Sequence, residues 1–298
     1  MTQSTTKRSV ALHVGAHKTA TTHLQRSLGM QQQALINNGV RYYGPENLLR
    51  PERGLGDVFG LEVYDAPPKP RRSRAEQTEF MFKDGDRLIL SDENFVGVLH
   101  DKHGHIHTPL YPYSAERVSA LATAIDSGPL ELFVGLRNPA SFLSSAYSQA
   151  LLGGRQITFA DYLDANPLDQ VFWAGWIARL RSAAGVGHVT VWLQEEYHQM
   201  FRVITRAMTG SGTEMRVVPI EQPVHVGLSA RAIDHVVGYA GADDLRDVAA
   251  AARAAYPTGS KSPAFDPFDD VQKAAAQADY DNQIAQIGQI DGVTVLRP

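Results

Sequence analysis

The segment Gly15-Ala-His-Lys-Thr-Ala-Thr-Thr22 holds more potential chemistry than any other part of the chain. Lys18 brings a full positive charge, and Thr19, Thr21 and Thr22 bring hydroxyl donors. Gly15, Ala16 and Ala20 are small enough to let backbone N–H groups approach a ligand, and His17 stands beside the lysine. An apolar run from Val10 to Val14 leads into the segment, and the helix-forming His23-Leu24-Gln25 follows it. A strand, a small-residue loop and a helix N-terminus in this order hold anions, because free N–H groups face the loop and the helix dipole adds positive potential. The loop differs from the triphosphate-binding pattern Gly-x-x-x-x-Gly-Lys-Ser/Thr. Lys18 comes early, and Ala20 stands where a second glycine would be.

Leu130 to Tyr147 repeats the strand–turn–helix plan. Arg137 sits at the C-terminal edge of its strand, where open α/β sheets bind ligands. Pro139 opens the helix. Ser145 follows eight residues after Arg137, about two helical turns in, and can point back to the same mouth. A guanidinium fork and a neutral hydroxyl make a compact site for one phosphate. Two anion sites on neighbouring strand–helix mouths imply a ligand with two separated phosphate-like groups.

The elements that must position these residues are legible as alternating patterns. Val10–Val14, Arg87–Leu90, Leu130–Leu136 and Val189–Leu193 read as buried strands, and Thr22–Asn37, Ser114–Asp126, Pro139–Leu152 and Asp169–Ala184 read as helices between them. This alternation predicts a three-layer α/β fold, with a mostly parallel central sheet flanked by helices. Residues 221–298 read as a mostly helical C-terminal part, with helical stretches at Asp244–Tyr256 and Val271–Ile287 and an interrupting loop at Tyr256–Pro267. Tyr43 to Thr78 is rich in Gly, Pro and charge and reads as an excursion over the active face, bounded at about residues 43–80. The 298 residues are read as a single domain. A hydrophobic fraction of 43%, a charged fraction of 20% and a net charge of −4 describe an ordinary globular protein and argue against a general nucleic-acid binder. With no cysteine, thiolate metal sites and disulfides are excluded. The sequence shows no apolar run of ~18 residues and no leader pattern at its start, so a cytoplasmic protein is the expectation; peripheral membrane contact stays open and the oligomeric state is not legible.

His13-Val-Gly-Ala-His-Lys-Thr-Ala-Thr-Thr22 resembles the 5′-phosphosulfate loop of sulfotransferases that use 3′-phosphoadenosine 5′-phosphosulfate (PAPS). Leu136-Arg-Asn-Pro through Ser145-Ala-Tyr147 resembles their 3′-phosphate motif, with the same arginine-to-serine spacing. The likeness is closest to bacterial and carbohydrate-type members, and it covers about residues 10–25 and 88–150. It implies a P-loop-like fold and a transferase that moves a sulfuryl group from PAPS to an acceptor hydroxyl, on a carbohydrate, lipid headgroup or small molecule. It also implies that Lys18 meets the bridging and leaving oxygens, and that Gly15, Ala16, His17, Lys18, Thr19, Ala20, Thr21 and Thr22 cradle the 5′ end. Arg137 and Ser145 would then fix the 3′-phosphate. Ala20 replaces the family's usual glycine, and its methyl must avoid the approaching sulfonate. A sulfuryl group carries less negative charge than a phosphoryl group, so no metal is expected.

In-line transfer also needs a base for the acceptor hydroxyl. The strand Arg87–Leu90 ends at Ser91-Asp92-Glu93-Asn94, and Glu93 is the first candidate; Glu46, after the first helix, is the second and His17 the third. His103, His105 and His107 alternate, which on an extended segment would face one side, although Gly104 and Pro109 favour a loop. Glu195-Glu196-Tyr197 reads as a structural strand end. Lys261 is a candidate to reach the donor phosphates from its late loop. Arg71, Arg72 and Arg74 hint at an anionic acceptor and fit a solvated loop equally well. Two rival readings are an ATP-dependent kinase with an atypical loop and a nucleotide-binding protein that kept the fold and lost the base.

Overall fold

The computed structural model describes residues 8–48, 54–61, 72–125, 127–210, 215–221 and 227–298. Its strands are β1 (Ser9–His13), β2 (Val40–Tyr43), β3 (Arg87–Ser91), β4 (Leu130–Leu136), β5 (Val186–Leu193) and β6 (Val293–Val295). They form one sheet in the order β2-β3-β1-β4-β5-β6, with every pairing parallel. The chain leaves β1 toward β2 and β3 on one side and later returns to place β4, β5 and β6 on the other. A crevice therefore opens outside the C-terminal ends of β1, β3 and β4, where open sheets of this kind bind ligands.

Alternate residues of each strand feed two separate cores, as the period of two requires. Val10, Leu12, Leu88, Leu90, Leu132 and Val134 enter one cluster, and Ala11, Ile89, Phe133 and Trp192 enter the other. Both faces of the sheet are covered, which is why its strands read as continuous apolar runs. On the first face lie α6 (Ser114–Ala124), α7 (Pro139–Leu152), α9 (Trp173–Ser182) and α13 (Asp270–Ile287), with Phe142, Trp173 and Trp176 fully buried. On the second lie α1 (Thr21–Gly29), α2 (Gln32–Asn37) and α10 (Tyr197–Thr209), through Leu24, Leu28, Leu35 and Phe201. Arg87 ties the strands beneath this crevice, making paired contacts of 2.6 and 2.9 Å with Glu131 and donating to the Met208 carbonyl.

Several boundaries differ from the sequence reading. The helix expected over Thr22–Asn37 is two helices, broken after Gly29, whose Cα side faces the Tyr42 ring closely enough that a Cβ would lie 3.8 Å from it. The helix expected over Asp169–Ala184 begins only at Trp173, after a 3₁₀ turn at Leu168–Gln170. Two edge strands, β2 and β6, were not anticipated. The excursion contains α3 (Pro45–Leu48), α4 (Leu55–Phe59) and α5 (Arg74–Phe82), while residues 49–53 and 62–71, and with them Arg71, lie outside the described residues. α8 (Phe159–Ala165) follows α7. The C-terminal part holds α11 (Ala230–Val237), α12 (Leu245–Ala255) and α13, as expected. Among the described residues no helix is long and apolar enough to cross a membrane.

Candidate active site

The loop after β1 is fixed from below. Ala16 N donates to the Gly135 carbonyl of β4 at 3.0 Å, and the Thr19 hydroxyl donates back to the Ala16 carbonyl at 2.6 Å. Gly135 is needed for this approach, since a Cβ there would stand 2.9 Å from Thr19 Oγ1. Gly15 lies at φ +40°, and a Cβ there would meet Thr21 Oγ1 at 3.0 Å. Lys18 and Ala20 adopt left-handed backbone, at φ 68° and 62°. For residues with a Cβ this costs about 1–2 kcal/mol each, the kind of strain that concentrates at functional loops. The Ala20 methyl packs against the core on the α10 side. The Ala20 carbonyl accepts from His23 N and Leu24 N, and so starts α1.

A cleft of about 820 Å³ opens above this loop. Residues from the C-terminal ends of four strands meet in it: Lys18 after β1, Glu93 after β3, Arg137 and Ser145 after β4, and Gln194 after β5. Of the expected loop residues, His17, Lys18, Ala20, Thr21 and Thr22 line it. Gly15, Ala16 and Thr19 are buried behind that surface, and the Thr19 hydroxyl is already committed to a carbonyl, so it is not a free donor as the sequence reading had it. Arg137 and Ser145 line the same cleft as Lys18. Arg137 is fixed in place: Nη1 donates to the Lys18 carbonyl at 3.0 Å, Nε donates to Ser141 Oγ at 2.9 Å, and its own carbonyl accepts from Trp173 Nε1. Asn138 caps α7 through its side-chain oxygen, and Asn138 N donates to Glu195 at 2.8 Å, which gives Glu195 its structural role.

Among the described residues, the cations Lys18, Arg137 and Arg253 and the carboxylates Glu93 and Glu221 line the cleft. Burial, then the charges of Arg137 and Arg253, push the Lys18 ammonium down from 10.5 to about 8. Burial also holds the Arg137 guanidinium below its ordinary value. Arg253 on α12 is a third cation lining the cleft, and sequence reasoning missed it. It sits in an alanine-rich helix whose pattern marks only a packing face. Lys261, the basic residue chosen instead, is exposed in a tight turn closed by Gly259 and Ser262 and does not line the cleft. His23 and His198 also line the cleft unforeseen; His23 bridges the Tyr197 hydroxyl at 2.8 Å and the Ile220 carbonyl at 2.9 Å.

The three candidate bases are separated by their surroundings. Both ring nitrogens of His17 are engaged, Nδ1 with the Tyr111 hydroxyl at 3.0 Å and Nε2 with Asn94 Oδ1 at 3.3 Å, and burial keeps the ring neutral. His17 thus braces the loop against the strand end that carries Glu93. Glu46 lies outside the main cleft, on the rim of a second cavity of about 320 Å³. Glu93 lines both cavities, and with Thr22 it forms the wall they share. Its Oε2 accepts from Gln25 Nε2 at 2.8 Å, and the same amide nitrogen donates to Ser91 Oγ at 3.2 Å. Ser91 in turn contacts His13 Nδ1 at 2.8 Å. His13 is fully buried, and desolvation pushes it down to about 4, so it is neutral. Asp92 is buried beside Glu93 and caps the following turn by accepting from Asn94 N at 3.0 Å; burial, then Glu93, push its carboxyl up to about 7.

The histidine run does not form a metal centre. Gly104 turns at φ +92°, the His103 and His105 rings stand 6.1 Å apart, and no group of three potential ligands is assembled among the described residues. Arg72 lies over the Phe80 ring at 4.0 Å, and neither it nor Arg74 lines the cleft.

No family model matches the sequence, and no curated protein matches it. Among solved structures, a sulfotransferase from Alicyclobacillus acidocaldarius is similar in fold, at 18% identity and a TM-score of 0.44, over 83% of this chain and 92% of that one. At values this low, any functional assignment has to come from the cleft's own chemistry.

Proposed function

We propose that the protein transfers a sulfuryl group from PAPS to an acceptor hydroxyl. The observation that carries this reading is the convergence of Lys18, Arg137 and Arg253 on one cleft, with Lys18 already depressed to about 8 by burial and by the other two charges. Lys18 and Arg137, both depressed by burial, favour a polyanion that restores them to their ordinary state, and the exposed Arg253 adds a third charge at the cleft. In this reading Lys18 and the first N–H groups of α1 hold the 5′ end of the donor, and Arg137 with Ser145 holds the 3′-phosphate.

The acceptor oxygen forms a new bond to sulfur as the bond from sulfur to the 5′-phosphate oxygen breaks. The hydroxyl proton passes to the Glu93 carboxylate, and Lys18 meets the charge growing on the leaving phosphate. Glu93 suits this role because it stands on the wall between the two cavities, with one carboxylate oxygen fixed by Gln25. Thermal shift and titration calorimetry with adenosine 3′,5′-bisphosphate in the presence of a chelator test the reading. Metal-independent stabilisation is expected. A requirement for magnesium and ATP would point to a kinase, and bisphosphate binding without transfer to any acceptor would leave a nucleotide-binding protein.

A further inference from the structure

Resting on the sulfuryl-transfer reading, we propose that the second cavity is the acceptor site and that it takes a neutral polyhydroxyl compound, such as a glycoside or cyclitol. Its position follows from the shared wall: a group seated there reaches Glu93 and Thr22 from the side opposite Lys18 and Arg137. A hydroxyl entering from this cavity meets the base before it meets the cleft. Its size, about 320 Å³, is at the small end of the ~300–1,000 Å³ common for ligand pockets and suits one ring.

The lining specifies the chemistry. The buried floor is Gln25 and Tyr42, and the exposed rim carries Arg26, Gln32, Glu46 and Asn47. Apart from the Tyr42 ring and Pro45, no apolar side chain lines it among the described residues. Pockets for flat aromatic or steroid acceptors are walled mainly by apolar side chains, whereas the described rim here carries amide, carboxylate and guanidinium groups. The rim amides of Gln32 and Asn47 donate and accept at once, which matches hydroxyls that do the same. Among the described lining residues, the carboxylates of Glu46 and Glu93 outnumber the guanidinium of Arg26, which disfavours an anionic ring such as a uronate. Glu46 then serves as a hydroxyl-binding group on the rim, and Glu93 alone faces the reaction.

The experiment measures transfer of labelled sulfate from PAPS to methyl hexopyranosides and myo-inositol, with glucuronate and 2-naphthol as contrasting acceptors. Asn47→Trp and Gln32→Trp, both at exposed rim positions, plug the cavity. Expected are transfer to at least one neutral polyol and a tenfold or greater loss of it in both variants, with bisphosphate affinity within twofold of wild type. Retained bisphosphate affinity also shows that the variants fold. Transfer confined to 2-naphthol or glucuronate, no transfer to any of these while bisphosphate binds, or full-rate transfer in the plugged variants would each overturn the acceptor assignment. Absence of bisphosphate binding in the wild-type protein would instead overturn the donor reading, and the acceptor site would fall with it.

Discussion

Lys18 burdens the ligand-free protein, and the burden can be removed by one substitution. Its ammonium is pushed from 10.5 to about 8, by burial first and by Arg137 and Arg253 next. The difference of about 2.5 units, at 1.36 kcal/mol each and reduced for screening at the cleft mouth, withholds about 2–3 kcal/mol of stability at neutral pH. The unfolded chain keeps this proton up to about pH 10.5, whereas the folded protein releases it above about pH 8. Between those values the unfolded state binds more protons, so the Lys18 contribution to stability rises with pH across that window. Lys18→Met keeps the stem and the left-handed backbone and deletes the charge. The ligand-free variant should melt higher than wild type, by of order 5–10 °C, from ~2–4 °C per kcal/mol for a chain of this size class. It should also lose the rise in stability above pH 8. Adenosine 3′,5′-bisphosphate should bind it ~10–150-fold more weakly, the worth of one hydrogen bond to a charged group at about 1.5–3 kcal/mol. In the wild-type protein affinity should fall as pH rises through 8, because binding must then take up a proton. Scanning fluorimetry and calorimetry at pH 7 and 9 read all of this. A variant that melts at or below wild type, or one that bisphosphate stabilises as much as it does wild type, would refute the reasoning.

Three other perturbations separate the remaining roles. Glu93→Gln should retain bisphosphate affinity and lower turnover ~10²–10⁴-fold, the usual share of a general base; unchanged turnover would remove Glu93 from the reaction. Gln25→Leu frees one oxygen of Glu93, and it should lower kcat with little change in the KM for PAPS; a purely structural role would instead show as lost bisphosphate affinity or lost fold. Arg137→Ala should weaken bisphosphate binding, and Arg137→Lys should rescue it only in part, because the two hydrogen bonds to Lys18 O and Ser141 Oγ come from one planar fork. Asp92 is raised from 3.8 to about 7, so the folded state holds a proton the unfolded state has released, and stability falls as pH rises across that interval. Asp92→Asn keeps an acceptor for Asn94 N; urea titrations at pH 5 and 7 should show a smaller loss between the two pH values than in wild type, and an equal loss would discount Asp92.

What the sequence disclosed is what short-range patterns encode. The apolar runs of β1, β3, β4 and β5 are continuous because both faces of the sheet are covered, and continuous runs are easy to read. α7 was legible to the residue, since Pro139 opens it and Gly153-Gly154 follows its last residue, Leu152. That Lys18, Arg137 and Ser145 meet at one cleft was legible because each lies a fixed number of residues beyond a recognisable strand end. β2 and β6 were missed for the opposite reason. Both are edge strands of 4 and 3 residues with half-buried positions, too short to stand out from a loop. At the break between α1 and α2, Tyr42 packs under Gly29 and donates to the Gln25 carbonyl, and no property of residues 22–37 alone announces it.

The same distinction explains which site residues stayed hidden. Gln25 reads in sequence as one more polar residue of a helix start, yet it is buried, and its amide joins Glu93 to Ser91 across 68 and 66 positions of chain. Arg253 reads as a solvated helix residue, and becomes a cleft cation only because α12 packs beside α7 and α11. The second cavity comes from α1, α2 and the chain after β2 meeting the end of β3, so apart from Thr22 and Glu93 its residues belong to no motif. A motif reports the half of the cleft around Lys18 because that half is built on backbone turns, whose geometry is local. The half that holds Glu93 is made of side chains meeting across the sheet, and its chemistry becomes readable only where the strand order brings β1, β2 and β3 together. Acceptor choice should accordingly shift with substitutions around this second half while donor affinity stays fixed, so exchanging Glu46 for Gln should alter which polyol is sulfated and leave the bisphosphate titration unchanged.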